Sequence, residues 1–173
     1  MATPTPKVSF VPPATANVEP SSTELSAKPP RSIATECDSQ PMSNLELDLF
    51  DSINYERLQQ GLAALRDHPC GRRVAEVRAL DMAGRSYFSH QSPDGGTAIS
   101  LLRDHGISFS AAGENLARNN YPVDQSVDVA ITSLMESEVH RIAILGLSYT
   151  HLSVAFSEDA AGMEYYVMIF IGS

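Results

Sequence analysis

Basic side chains are scarce in this chain. Twelve lysines and arginines face 21 aspartates and glutamates over 173 residues, a formal net charge of −9. No Lys/Arg cluster reverses that balance locally, so phosphate backbones and anionic membranes are repelled on average, which argues against nucleic acid as a partner. No apolar run comes near the roughly 20 residues that a membrane-crossing helix needs, so no transmembrane segment is expected. Met1 opens onto Ala2-Thr3-Pro4 and not onto a basic and then apolar leader. There is no internal repeat and no glycine-rich phosphate loop. Cysteine is nearly missing as well, Cys37 and Cys70 being the only two. A bridge between them closes a loop of about 34 residues and contributes roughly 3–4 kcal/mol in the chain-entropy model. Two unrelated thiols are the alternative, and without a known compartment the two readings stand level.

What is present divides the chain in two. Eight of the 11 prolines fall in residues 1–41, among Ser, Thr and Ala and with almost no aromatics. Such a stretch has little apolar surface to offset the entropy of ordering, so 1–41 reads as a tail or linker. Residues 42–173 carry nearly all the large apolar side chains and suffice for one domain with a real core. That domain holds nine basic and seventeen acidic side chains. A Pro/Ser/Thr linker ahead of a domain fits what remains when a leader or anchor has been removed, which gives extracellular or cell-surface as the expected location.

Periodicity then places the elements. Ser43 with Glu46 forms a capping-box signature, and Leu45, Leu49, Phe50 and Ile53 follow at helical spacing, predicting a helix over 44–60 that stops at Gly61. Pro69 suits a first helical turn. Val74, Ala75, Val77, Ala79, Leu80 and Met82 continue a second helix toward Gly84. Ala98–His105 is a short third helix closed by Gly106. A fourth starts near Asp124 and runs through Val127, Ile131 and Leu134 to His140. Alternation at Leu152, Val154 and Phe156, a turn at Asp159–Gly162 and the apolar run Tyr165–Ile171 predict an antiparallel hairpin with one deeply buried strand. Helices ahead of late strands argue for α+β layers over a βαβ nucleotide fold.

Between these elements lie polar motifs in a fixed order: Asn54-x-x-Arg57 with Gly61-Leu62, then Asp81-Met82. Tyr87-Phe88-Ser89-His90-x-Ser92-Pro93-Asp94-Gly95 follows, then Gly113-Glu114-Asn115, His140-Arg141 and Tyr165-Tyr166-Val167. Over about residues 45–172 the chain resembles the CAP superfamily of cysteine-rich secretory, antigen 5 and pathogenesis-related proteins, most of all its short bacterial SCP-like branch. The resemblance implies an α-β-α sandwich, α+β in class, with a small antiparallel sheet between helical layers. It also implies a cleft holding a His/Glu cluster, here His90, Glu114 and His140. The family often adds a second Glu three residues past a Trp; Leu134 stands at that Trp and Ser137 at the carboxylate position. Glu136 and Glu138 flank Ser137, but a helix turns about 100° per residue, so neither points the same way.

Two imidazoles and a carboxylate can ligate Zn²⁺ or another divalent metal and leave a coordination position open, and with a metal Glu114 could serve a hydrolase or protease. The spacing of the three residues does not pre-form a site on one helix, so only the resemblance brings them together. A hydrogen-bonded polar cluster without metal is the competing reading. A serine hydrolase is disfavoured: Ser89, Ser92 and Ser137 lie near candidate bases, yet no Gly-x-Ser-x-Gly elbow exists. Ser92–Gly96 reads as a turn that positions His90 and caps the third helix through Thr97. His68, His105 and His151 read as bystanders, and either Tyr165 or Tyr166, with Tyr166 preferred, could line the cleft. The function expected is a secreted or surface-attached, non-enzymatic binding module for a metal, small-molecule, lipid-like or protein ligand. A metal-dependent hydrolase and a purely structural interaction module are the alternatives.

Overall fold

The computed structural model describes residues 8–17 and 41–173. The elements follow in the order β1 (Val8–Asn17), α1 (Asn44–Gln59), β2 (Arg66–Asp67), α2 (Pro69–Arg85), α3 (Ala98–Asp104), β3 (Ala111–Asn119), α4 (Val123–Glu136), α5 (Glu138–Ile144), β4 (His151–Glu158) and β5 (Glu164–Gly172). The strands form one sheet in the order β1-β3-β5-β4-β2. Helices cover both faces, giving the expected α+β sandwich. The sheet is mixed, not wholly antiparallel, because β2 runs parallel to β4 through Arg66 and Asp67.

Strand β5 explains why its sequence lacks alternation. It sits mid-sheet between β3 and β4 and is buried from end to end. Tyr166, Met168 and Phe170 join the core under α1, α4 and α5, while Tyr165, Val167, Ile169 and Ile171 join a second core under α2 and α3. A strand covered on both faces needs apolar residues at every position. The turn that feeds it is held by Asp159, whose Oδ1 accepts from the Ala161 and Met163 amides at 2.9 and 3.0 Å.

Helix α1 begins as its capping box predicts: Ser43 Oγ accepts from the Glu46 amide and Glu46 Oε2 from the Ser43 amide. Its polar motif serves the fold. Asn54 exchanges two hydrogen bonds with the Leu65 backbone. Arg57 donates to the Ala63, Ile144 and Gly146 carbonyls, which answers the acceptors left open at the end of α5. Helix α2 starts at Pro69, and its N-cap is His68, whose Nδ1 accepts from the Gly71 amide at 3.0 Å. It ends one residue past Gly84 at Arg85, on a left-handed Ser86 with φ 54°. Its buried stripe is Val74, Ala75, Arg78, Ala79 and Met82; Val77 and Leu80, which apolarity alone assigns to the core, face solvent. At Gly71 the helix meets the sheet so closely that a Cβ would overlap Ser153 Oγ.

Two further expectations are corrected by the structure. The helix predicted to run from Asp124 to His140 breaks at Ser137, whose backbone is extended (φ −84°, ψ 116°), so His140 belongs to the separate helix α5. And Val8–Asn17, which composition assigns to a tail, pairs antiparallel with β3 from Val8↔Asn119 to Asn17↔Ala111. Without it, β3 would present a nine-residue edge of unpaired backbone. The pairing shifts register between Val11 and Ala14, where Pro12 and Pro13 have no N–H to offer. Cys70 is disulfide-bonded; Cys37, the other half of the expected bridge, lies outside the described residues, as does most of the expected linker.

Candidate functional site

Strand β3 sets the site, because successive side chains on a strand leave opposite faces. Glu114 follows the parity of Ala112 and Leu116 and points into the α2–α3 layer. Asn115 follows that of Ala111 and Ala117 and points toward α4 and α5. Both are fully buried.

On the α2 side, Glu114 accepts from Arg78 Nε through Oε1 at 3.1 Å, and its Oε2 lies 2.5 Å from His90 Nδ1. The Arg78 guanidinium also donates through Nη1 to Tyr87 Oη at 2.9 Å and through Nη2 to the Ser89 carbonyl at 2.6 Å. Tyr87 in turn donates to Asp81 Oδ2 at 2.6 Å. Burial, with that hydrogen bond second, pushes the Tyr87 phenol up to about 12. Helix α2, the loop behind it and β3 therefore meet on one buried cation, which fixes the carboxylate and the backbone just before His90. Further along the loop, Ser92 Oγ accepts from the Gly96 amide, and Arg85 pairs with Asp94 and Asp81 on the surface. The Arg85 guanidinium holds the Asp94 carboxyl below its ordinary value. Thr97 then caps α3 through the Ser100 amide, as expected from its position.

Beside a carboxylate oxygen, Nδ1 is the donor of this contact, so that whenever the ring is neutral it presents a lone pair at Nε2. That Nε2 is buried and has no hydrogen-bond partner among the described residues. The side chain as a whole keeps 16% exposure. An oriented imidazole with an unanswered second nitrogen is able to accept a hydrogen bond, take a proton or bind a cation.

His140 is placed differently. Asn115 Nδ2 donates to the His140 carbonyl at 3.1 Å, so the strand residue next to Glu114 holds α5 on the opposite face. The His140 ring is buried, with Nδ1 2.7 Å from Ser137 Oγ. The structure thus brings His90 and Glu114 into contact, while the His140 backbone is held by Asn115 and its ring meets Ser137. Glu136 and Glu138 flank the α4–α5 break at the surface. Tyr166 is fully buried in the α1–α4 core, its hydroxyl 2.6 Å from Glu164 Oε2 and 2.7 Å from Ser126 Oγ, with its pKa raised by burial and by Glu164. It anchors core and does not touch His90.

These positions test the metal expectation. Both oxygens of Glu114 are already engaged, one by a guanidinium and one by an imidazole, and among the described residues no three His, Cys, Asp or Glu side chains converge as a metal group. The candidate serines are engaged elsewhere: Ser89 Oγ accepts from the Gln91 amide, Ser92 Oγ from the Gly96 amide, and Ser137 Oγ meets His140 Nδ1.

Sequence reasoning did not single out Arg78. The signal was available, since an arginine four residues after Val74 and four before Met82 sits on the apolar stripe of α2. A buried guanidinium must find acceptors, either backbone carbonyls, as Arg57 does, or a buried acid.

Residues 50–170 match the family model for the cysteine-rich secretory protein family, CAP. The chain is 32% identical over 120 residues to the uncharacterized protein YkwD of Bacillus subtilis, covering 69% of this chain and 45% of that protein. It is 34% identical over 143 residues to the uncharacterized membrane protein YlbC of the same organism, covering 82% and 38%. It thus spans less than half the length of these curated relatives. Among solved structures, an extracellular protein containing a SCP domain from Bacillus anthracis superposes with a TM-score of 0.65 at 27% identity, over 78% of this chain and 45% of that one. An outer surface protein from Borrelia burgdorferi shares the fold with a TM-score of 0.65 at 16% identity, over 75% and 96%.

Proposed function

The chain belongs to the cysteine-rich secretory protein (CAP) family, and from there we propose that it acts outside the cell or at its surface as a binding domain. Its ligand contacts His90. The observation that carries this reading is the buried, unpartnered Nε2 of an imidazole whose Nδ1 is fixed by Glu114. Burying a polar atom without a partner costs about 1–3 kcal/mol, and a ligand that donates a hydrogen bond there recovers it. The ligand class is therefore a small or lipid-like molecule bearing a hydroxyl or amide N–H. The extracellular setting is supported by relatives described as an extracellular protein and an outer surface protein. Among the described residues no helix is long and apolar enough to cross a membrane.

A binding role is favoured over a metallohydrolase because both oxygens of the cluster's one carboxylate are already held by protein donors. The test uses the whole chain. Hydroxyl- and amide-bearing fragments are titrated while the His90 ring nitrogens are followed by NMR, with zinc titrated separately by calorimetry and an ester and peptide panel assayed for turnover. Fragments that shift Nε2 and not Nδ1 support the reading. Zinc affinity lost in the His90→Ala, His140→Ala double variant, or turnover abolished by Glu114→Gln, would replace it with the metal or the hydrolase reading.

A further inference from the structure

We infer that the outer edge of β3 is a strand-acceptor site for an extended peptide, and that the chain's own segment Val8–Asn17 occupies it in cis as a displaceable plug. Three observations carry this. First, the occupant is visible and its main chain is the recognition element: β1 pairs antiparallel with β3 over the length of that strand, which is the geometry of peptide capture by strand addition. Second, the fit is imperfect at its centre. The register slips between Val11 and Ala14, so Asn115 faces the break at Pro12 and Pro13, two residues without N–H donors. The fully buried Asn115 keeps an Oδ1 that no group among the described residues answers. Third, the occupant is a sheet edge whose every covalent path to α1 and α2 runs through residues 18–36, whereas β3 is also held by β5 along its other edge. Removing β1 breaks one ladder and its contacts with α4 and α5 and leaves the β3-β5-β4 sheet intact.

The site lies beside the functional residues. Ala14 pairs with Glu114, the residue that holds His90, and α5, which carries His140, also packs on β1. A cis segment on a linker competes at an effective concentration on the order of millimolar, so a trans peptide binds well only after the segment is released.

The experiment places a protease cleavage sequence within residues 18–36 of the full chain, ahead of Cys37, and follows a fluorescent peptide of residues 8–17 by anisotropy. After cleavage, the labelled peptide should bind saturably and be displaced by unlabelled peptide. The uncut chain should bind at least about 100-fold more weakly, as expected of intramolecular competition. Hydrogen exchange on the uncut chain gives a second reading: β1 amides should exchange at least about tenfold faster than those of β5, since a displaceable edge opens without global unfolding. Equal protection of the two strands overturns the proposal. So does a cut chain that unfolds when the segment leaves, one that stays folded and takes up no peptide, or equal peptide binding before and after cleavage. Self-association of the uncut chain at the concentrations used, with the segment exchanged between copies, overturns the assignment of the plug to cis.

Discussion

Arg78 Nε lies 3.1 Å from Glu114 Oε1, and both side chains are almost wholly withdrawn from solvent. Attraction between two charges taken out of water offsets their desolvation only when the geometry and the surrounding hydrogen bonds are good. Here the guanidinium directs its remaining donors to Tyr87 and Ser89, and the carboxylate turns its second oxygen to His90.

Arg78→Met should therefore cost about 3–5 kcal/mol, because it strands a buried carboxylate. Arg78→Lys should recover only part of that, since a point charge cannot span three acceptors in a fork. Denaturant unfolding of the two variants checks both; equal stability of Arg78→Lys and wild type would show that the fork is not needed.

His90 should exist as the Nδ1–H tautomer when neutral. Long-range nitrogen–proton NMR reads this from the two ring nitrogen shifts. Glu114→Gln should weaken the preference, as an amide accepts less strongly than a carboxylate. An unchanged tautomer ratio in that variant would mean the carboxylate does not set it.

Alkaline pH should loosen the cores on both faces of the sheet. Tyr87 is raised to about 12 chiefly by burial, and burial also lifts the phenols of Tyr149, Tyr165 and Tyr166 above their ordinary value. For a raised group the stabilising contribution is complete below its unfolded pKa and is lost as pH climbs through the folded one. Stability should hold to about pH 10 and decline from there toward about pH 12. Phenolate absorbance from these four side chains should appear together with loss of near-ultraviolet circular dichroism, and its early appearance in folded protein would contradict the burial.

Gly71→Ala should cost about 1–3 kcal/mol by overpacking, because the new Cβ overlaps Ser153 Oγ and meets Ile171 Cδ1 at 3.0 Å. Adding Ser153→Ala should return part of the loss, although Ser153 Oγ also donates to the His68 carbonyl. A double variant no more stable than the single one would place the clash elsewhere.

Much of this architecture is legible in the residues because local signals agree with the fold. The Ser43–Glu46 box, Pro69 at a first turn, Thr97 ahead of α3 and the Leu152–Phe156 alternation each mark an element where the structure has one. The break at Ser137 is not legible, since no proline or glycine announces it and the change lies in an extended backbone between two helices. Strand β1 is hidden for another reason: its pairing is made by main chain, to which side-chain composition is blind. At the site, the pairing of His90 with Glu114 follows from the family resemblance. Its missing third member, Arg78, was masked by its neighbours, because a charged residue on an apolar stripe is invisible to a hydrophobic count. The placement of His140 turns on strand parity, which separates Glu114 from Asn115 although they are adjacent in the chain.

That adjacency has a mechanical result. One peptide unit joins the residue that steers the His90 ring to the residue that grips the α5 backbone, so any slide or twist of β3 is felt on both sides of the sheet at once. A displacement of Glu114 on one face would have to be absorbed next door, at the hydrogen bond that seats α5 on the other.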